Sequence, residues 1–309
     1  MAFSLGALTA YVDEQRFPLI TQTLYGSKTG ALMTKYPGIK YKAKINILAT
    51  TAQFQAGSCA FNASGTTSIT QREIQVSNIQ VMETLCMKDL VTYFTQVMLQ
   101  PGFNADDFPM EAEYVKLKAD LIARQLEIAY WQGDTTSPMA NLKQFNGWIT
   151  LIDTAAASVN GNPTNITTGT GITAGNVVGI VNGIYALIPA QLLHQSDVGI
   201  WMGTDTFRLY AQALVTANLF SYNGKSDDSF EIFIPGTNVK VIGLDGLTGT
   251  SRIFAGRTSN FYIGTDMLNE EEKFMFKEDQ YGLNLNFLAD FKVGVQVAFP
   301  DEIVQFKLV

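Results

Sequence analysis

The 309-residue chain has two cysteines, Cys59 and Cys86, and one histidine, His194. A zinc site needs about four such ligands together. Neither cysteine lies in a CxxC and no histidine neighbours them, so a Cys/His zinc site is not expected. Two cysteines make no disulfide framework. Each is expected to be a small buried apolar residue in a reducing compartment. Charge is scarce as well: 16% of residues are charged, against roughly 25% in ordinary globular chains. A chain of this size with so few charges either has little free surface, covers it with other chains, or relies on Ser, Thr, Asn and Gln for solubility. The net charge is −7 and no basic stripe is visible. Tight, phosphate-neutralising contact with nucleic acid is thereby excluded, and any contact with DNA is expected to be weak and non-specific.

Long apolar runs are missing too. No stretch reaches about 18 apolar residues, so no transmembrane helix and no membrane partner are expected. Met1-Ala2-Phe3-Ser4-Leu5 lacks a basic region followed by an apolar one, so no secretory signal is expected, and the chain should be made in a cytoplasm and stay soluble. Catalytic motifs are equally absent. No GxxxxGK[ST] or GxGxxG opens a helix, and there is no GxSxG elbow. Asp245-Gly246 and Gly169-Thr170-Gly171 have only the composition of phosphate loops. Acids cluster at Asp106 and Asp107, at Asp227 and Asp228, and at Glu270 to Glu272. Glycosidase chemistry needs two carboxylates roughly 5–10 Å apart across a cleft, and acids adjacent on one segment point different ways. These clusters read as solvated faces or helix caps; an oxygen-ligand cation site at Asp266 or Glu270–Glu272 is the weaker alternative. His194 has no evident partner. No catalytic residue, metal ligand or cofactor is expected. The abundant aromatics (20 Phe, 12 Tyr, 3 Trp) fit a core and subunit contacts, which favour such residues. A sugar-binding surface is the alternative.

Hydrophobic residues make up 47% of the chain. That is enough for a sizeable core, and the length suits about two domains. Residues 1–41 hold six Gly or Pro residues (Gly6, Pro18, Gly26, Gly30, Pro37, Gly38) and scattered apolar ones, including Phe17, Leu19, Ile20, Leu24 and Tyr25. The segment is too broken to bury them on itself and reads as an arm. From Lys42 the pattern alternates, with Ala43, Ile45, Ile47 and Ala49 on one parity and Lys42, Lys44 and Asn46 on the other. Alternation returns in Ile69, Gln71 and Glu73 and in Ile74 and Val76, with Arg72 opposite. This predicts an extended two-stranded hairpin over 42–81, its tip near 56–66. Such a ribbon has no core of its own and must lie on another surface.

Residues 81–99 read as mixed helix, stopped by Pro101-Gly102. A long helix over about 109–132 follows, capped by Asp106 or Asp107, with Pro109 in the first turn. Tyr114, Leu117, Leu121 and Ile128 fall near one face, with Val115, Ile122 and Leu126 beside them. It is a rod of about 35 Å. Phe145 to Ile149 reads as a turn into a short apolar strand, and the Thr/Ala/Asn/Gly-rich stretch 154–174 as a domain boundary. Helices over 176–187 and 204–219 and strands at 198–202, 230–233, 239–242 and 253–255 make a mixed α/β unit. The chain then turns strand-rich from Asn260.

In this order the elements resemble the Hong Kong 97-type major capsid proteins of tailed bacteriophages. The stretch from Ala123 to Asp134 followed by Phe145-Asn146-Gly147-Trp148-Ile149 looks like that family's exit from its spine helix. Val198–Met202 followed by Thr204-Asp205-Thr206 resembles its axial-domain step from strand to helix. Asn260–Gly264 and Lys292–Asp301 resemble its closing strands. The resemblance implies an α+β fold with an N-terminal arm (1–41), an extended hairpin loop (42–81), a peripheral domain (82–164 and 259–309) with the spine helix, and an axial α/β domain (165–258). It implies a structural subunit of an icosahedral virion shell, assembled in a host cytoplasm. Its partners would be many copies of itself as pentamers and hexamers, a portal, scaffolding or decoration proteins, and packaged double-stranded DNA. The family's fused scaffolding segment is not expected, because no long helical stretch precedes the arm. Encapsulin-like cellular shells around enzyme cargo share the fold and stay open as an alternative, as does a soluble α/β carbohydrate-active or carbohydrate-binding protein. The expected inter-subunit contacts are Phe17, Tyr25, Phe54, Phe61, Arg72 and Glu73.

Overall fold

The computed structural model describes residues 26–56, 65–86, 110–162, 164–218, 230–266, 273–278 and 284–309. Helices and strands form two sheet layers sharing a core, plus a ribbon that leaves them.

The first layer is built on β12 (Asn284–Val297), whose alternating apolar residues Leu285, Phe287, Ala289, Phe291, Val293, Val295 and Val297 are all buried. Along its length β12 pairs antiparallel with β10 (Phe261–Thr265), β11 (Lys273–Glu278) and β4 (Ser77–Cys86). β1 (Thr34–Tyr36) adds parallel to β10. The second layer is a six-stranded sheet in the order β5 (Val159–Asn160), β13 (Val304–Phe306), β9 (Ile253–Arg257), β6 (Val198–Gly203), β8 (Lys240–Leu244), β7 (Glu231–Phe233). Every residue of β6 is buried, as its central place demands.

Helix α1 is the single turn Lys28–Leu32. Helix α2 runs Met110–Gln132 and buries Val115, Ala119, Ile122, Leu126 and Ala129, one stripe at helical spacing. Ala123 is buried along it as well. Leu117 and Leu121, expected on the covered face, are exposed instead; the core takes Val115, Ile122, Leu126 and Ala129. The segment after α2 is a helix, α3 (Trp148–Ala155), and not the expected strand. Its β-branched composition favours a strand, yet Trp148 and Ile152, four apart, are both fully buried. The turn between α2 and α3 is closed by Gly147 N donating to Gly133 O at 2.8 Å. In the second layer α4 (Val177–Leu187) buries Val177, Ile180, Val181 and Ile184. α5 (Thr204–Thr216) buries Phe207, Tyr210 and Leu214. Trp131, Trp148, Trp201, Phe254 and Phe261 stack at the junction of the layers, with centroids 5.0–5.8 Å apart.

Other expectations are corrected. Residues 77–86 are a strand rather than the end of the hairpin and the start of a helix; inward and outward residues alternate along them in register with β12. Cys86 is consequently on the outward parity and exposed. Residues 26–41, expected in an arm with nothing of its own to pack on, are built into the chain's own body. Met33 and Ile39 are buried, and Ile39 N donates to Thr265 O at 3.0 Å beyond β1. The last strand, β13, joins the six-stranded sheet and not the β12 ladder. Residues 1–25, 57–64 and 87–109, with their expected arm, hairpin tip and helix start, lie outside the described residues.

Candidate assembly surface

β2 (Lys42–Thr50) and β3 (Thr67–Gln75) form a two-stranded ribbon whose backbone ladder joins no other described strand. At about 3.4 Å per residue each strand is about 30 Å long. The root of the ribbon is anchored. Ile45, Ile47, Ile74 and Val76 are buried with Ile39 and Ala298, Val76 N donates to Tyr41 O at 3.0 Å, and Gln296 Nε2 donates to Glu73 O at 2.6 Å. The seat consists of two paired glycines, Gly264 of β10 and Gly294 of β12. A Cβ on Gly294 would lie 2.0 Å from Gln75 O, and one on Gly264 2.8 Å from Ile74 Cδ1.

Beyond the root the ribbon is bare. Directly opposed residues of an antiparallel pair share a face, so Lys42, Lys44, Asn46 and Leu48 form one side with Gln75, Glu73, Gln71 and Ile69. Glu73 pairs there with Lys42 of its own chain. Arg72 lies on the opposite face, across from Ile45. Arg72 and Glu73 therefore point to opposite faces of the ribbon. Leu48 and Ile69 are 62% and 68% exposed, and Phe54 is 100% exposed. Phe17, Tyr25 and Phe61 lie outside the described residues. Leu48 and Ile69 escaped the sequence reading, although an apolar residue on the parity of Lys42, Lys44 and Asn46 was a visible break in the alternation.

A second apolar surface flanks α2. β4 and the exposed side of α2 border a groove of about 720 Å³, lined by Gln80, Met82, Lys118, Leu121, Gln125 and Asn141 among others. Lys118 pairs with Glu83 at its rim, and Met82, Leu117 and Leu121 are exposed.

The chemical candidates take structural places. Gly246 of the Asp245-Gly246 pair is pressed on α2, where a Cβ would lie 2.4 Å from Glu127 O; it cradles no phosphate. Asp266 is fully buried and pairs with Lys292 Nζ at 3.1 Å. Among the described residues no three His, Cys, Asp or Glu side chains are placed to hold a metal ion. Asp153 accepts a bidentate pair from Arg252, both bonds 2.8 Å, and a further bond from Gln305. Burial pushes its carboxyl up, but the bonds from Arg252 and Gln305 and the charges of Arg252 and Lys307 outweigh this, leaving it below the ordinary value.

No family model matches the sequence, and no curated protein matches it. Solved structures do match in fold. A chain of the satellite phage P4 procapsid with its size-determination (Sid) protein is 10% identical with a TM-score of 0.63, the match covering 94% of this chain and 98% of that one. A capsid chain of an empty GTA particle is 14% identical at 0.59, covering 93% and 90%. A virus-like particle from Pyrococcus furiosus is 9% identical at 0.52, covering 96% and 99%. With a ribbon leaving a β12-centred layer, a long helix across that layer and a second α/β layer, the chain has the α+β fold of the Hong Kong 97-type capsid proteins.

Proposed function

We propose that this chain is the major capsid protein of a tailed phage, a structural subunit without catalytic activity that tiles an icosahedral virion shell around double-stranded DNA. One observation carries the reading beyond the fold: the ribbon presents Leu48, Ile69 and Phe54 to solvent on a two-stranded element that cannot bury them itself. A neighbouring copy is the natural cover, through heterologous contacts that close around symmetry axes as pentamers and hexamers. Residues 165–258 would cluster at those axes as the axial domain. Residues 82–164 and 259–309 would form the peripheral domain, and residues 1–25 would reach a neighbour. Each contact is modest, and many together make a durable shell. The net charge of −7 suits a wall that holds DNA only weakly. Portal, scaffolding and decoration proteins would complete the particle, assembled in the host cytoplasm. Among the described residues no helix is long and apolar enough to cross a membrane, and the reading includes no membrane step.

The test is expression of the full chain, followed by gel filtration and negative-stain microscopy. Closed, shell-sized particles are expected, and deletion of residues 57–64 should give a folded subunit, by circular dichroism, that no longer forms them. A wild-type chain that stays a small oligomer under all assembly conditions would overturn the reading. An encapsulin-like cellular compartment is the second reading, favoured by the match to the Pyrococcus furiosus particle. Particles that co-purify with an enzyme in place of DNA would select it.

A further inference from the structure

Helix α1 sits where the N-terminal segment meets both layers. Its Thr29 is fully buried. The Thr29 hydroxyl donates to Glu127 Oε1 at 3.1 Å and accepts from Trp131 Nε1 at 3.1 Å. Glu127, in the C-terminal part of α2, is itself only 6% exposed. The backbone N–H groups of Lys28 and Gly246 lie on the same side and favour its ionised form, and Gly246 packs against the Glu127 backbone. One acid therefore joins the root of the N-terminal segment, the long helix and the turn after β8. The Lys28 side chain faces the second layer instead, with Nζ 3.4 Å from Phe230 O and 3.8 Å from Glu231 Oε1.

The charges around this joint are few. From α1 comes Lys28, and from the turn after β8 comes Asp245, whose carboxylate accepts the Thr204 hydroxyl at 2.6 Å. Beyond Lys28 stand Glu231 and Lys240. On α2 itself, Arg124 is exposed. A buried carboxylate with one hydroxyl donor and only a half-buried cation nearby is a poor place for a full negative charge.

We propose that Glu127, Thr29 and Lys28 form a proton-sensitive clasp on the root of the N-terminal segment, closed more firmly when Glu127 is neutral and released more readily when it is ionised. Burial pushes the Glu127 carboxyl above its ordinary value. Asp245 adds to the push, and the Thr29 bond and the N–H groups of Gly246 and Lys28 only partly oppose it. A group whose proton is held more tightly in the closed state than in the open one makes proton uptake favour closure. Protection of the root should thus rise as pH falls from neutral toward the ordinary carboxylate range, and the buried charge should work against the clasp at neutral pH. Residues 1–25 continue from this root, so on the shell reading, on which its biological use rests, the clasp would govern when the segment is free to find a neighbour.

The test is hydrogen exchange of the full, unassembled chain as wild type, Glu127→Gln and Thr29→Val, at about pH 7 and about pH 5. Comparing proteins at one pH removes the intrinsic pH dependence of exchange, and amides of 67–75 serve as an internal reference. Wild-type peptides covering 26–36 should gain several-fold protection relative to Glu127→Gln on acidification. Thr29→Val should exchange faster than wild type at both pH values. If Glu127→Gln does not fold, the wild-type ratio of 26–36 to 67–75 at the two pH values decides. A Glu127→Gln profile that tracks wild type at both pH values, or a wild-type root that loses protection in acid, would overturn the clasp. Neither result depends on particles forming, so the shell reading stands or falls separately.

Discussion

Gly264 and Gly294 face each other across β10 and β12, and their missing side chains form the floor on which the ribbon turns away from the body. Because a Cβ on Gly294 would lie 2.0 Å from the Gln75 carbonyl oxygen, Gly294→Ala cannot be absorbed by a rotamer change; backbone must move. Overpacking of this kind costs about 1–3 kcal/mol. We expect the variant to melt earlier and to lose assembly disproportionately, since the displaced element is the ribbon root. Gly264→Ala meets the ends of flexible side chains, Ile39 and Ile74, and should be milder. Thermal melting and particle yield of the two variants check this order.

Leu48→Thr with Ile69→Thr should separate folding from assembly. Both side chains are exposed in the subunit and opposite each other, and threonine keeps the strand propensity. Surface changes of this kind alter stability by about 0.5 kcal/mol or less. The double variant should therefore melt like wild type and be more soluble, yet fail to form particles. Particle formation at wild-type yield would show that the ribbon face is not an interface.

How much of this was legible in the sequence depended on whether local pattern and tertiary packing agreed. The all-apolar run of β6 and the spacing Val177, Ile180, Ile184 in α4 were unambiguous. β4 was missed although its alternation runs through Ile79, Val81, Glu83 and Leu85, because Met82 and Cys86 on the other parity also suit a helix. α3 was missed because Trp-Ile-Thr-Leu-Ile reads as strand until Ile152 is known to pack one turn from Trp148. The buried face of α2 was misplaced because Leu117 and Leu121 are as apolar as Val115, Ile122 and Leu126, and only packing tells the two rows apart. Of the assembly surface, the aromatic Phe54 was legible by type. Leu48 and Ile69 needed the β2–β3 register, and Glu127 needed the fold that brings Thr29 98 positions away to its carboxylate.

Acid should weaken the tie between α3 and β9. The Asp153 carboxyl lies below its ordinary value, so its contribution is present above the unfolded-state value, about 4, and fades as pH falls through the lowered folded-state one. The group is partly solvated, and a contribution of about 1 kcal/mol or less is appropriate. In urea melts, wild type should exceed Asp153→Asn at neutral pH, and the gap should narrow well below about pH 4. A gap that widens in acid would mean that the Arg252 pair is not what stabilises the wild type.

The two interior tryptophans should respond differently to loss of the indole nitrogen. Trp148 and Trp201 are both fully buried, and both stack edge-on against Phe261. Trp148 Nε1 donates to Gln296 O at 3.3 Å, whereas Trp201 Nε1 has no acceptor. Replacing either by phenylalanine leaves a comparable cavity, and the cost of that cavity is common to both. Trp148→Phe additionally loses the indole hydrogen bond to Gln296 O. Trp201→Phe instead removes a buried, unpaired donor, which relieves about 1–3 kcal/mol. Trp201→Phe should thus be the less destabilising change, by on the order of 1 kcal/mol or more in chemical denaturation. Equal losses would place an unseen acceptor against Trp201.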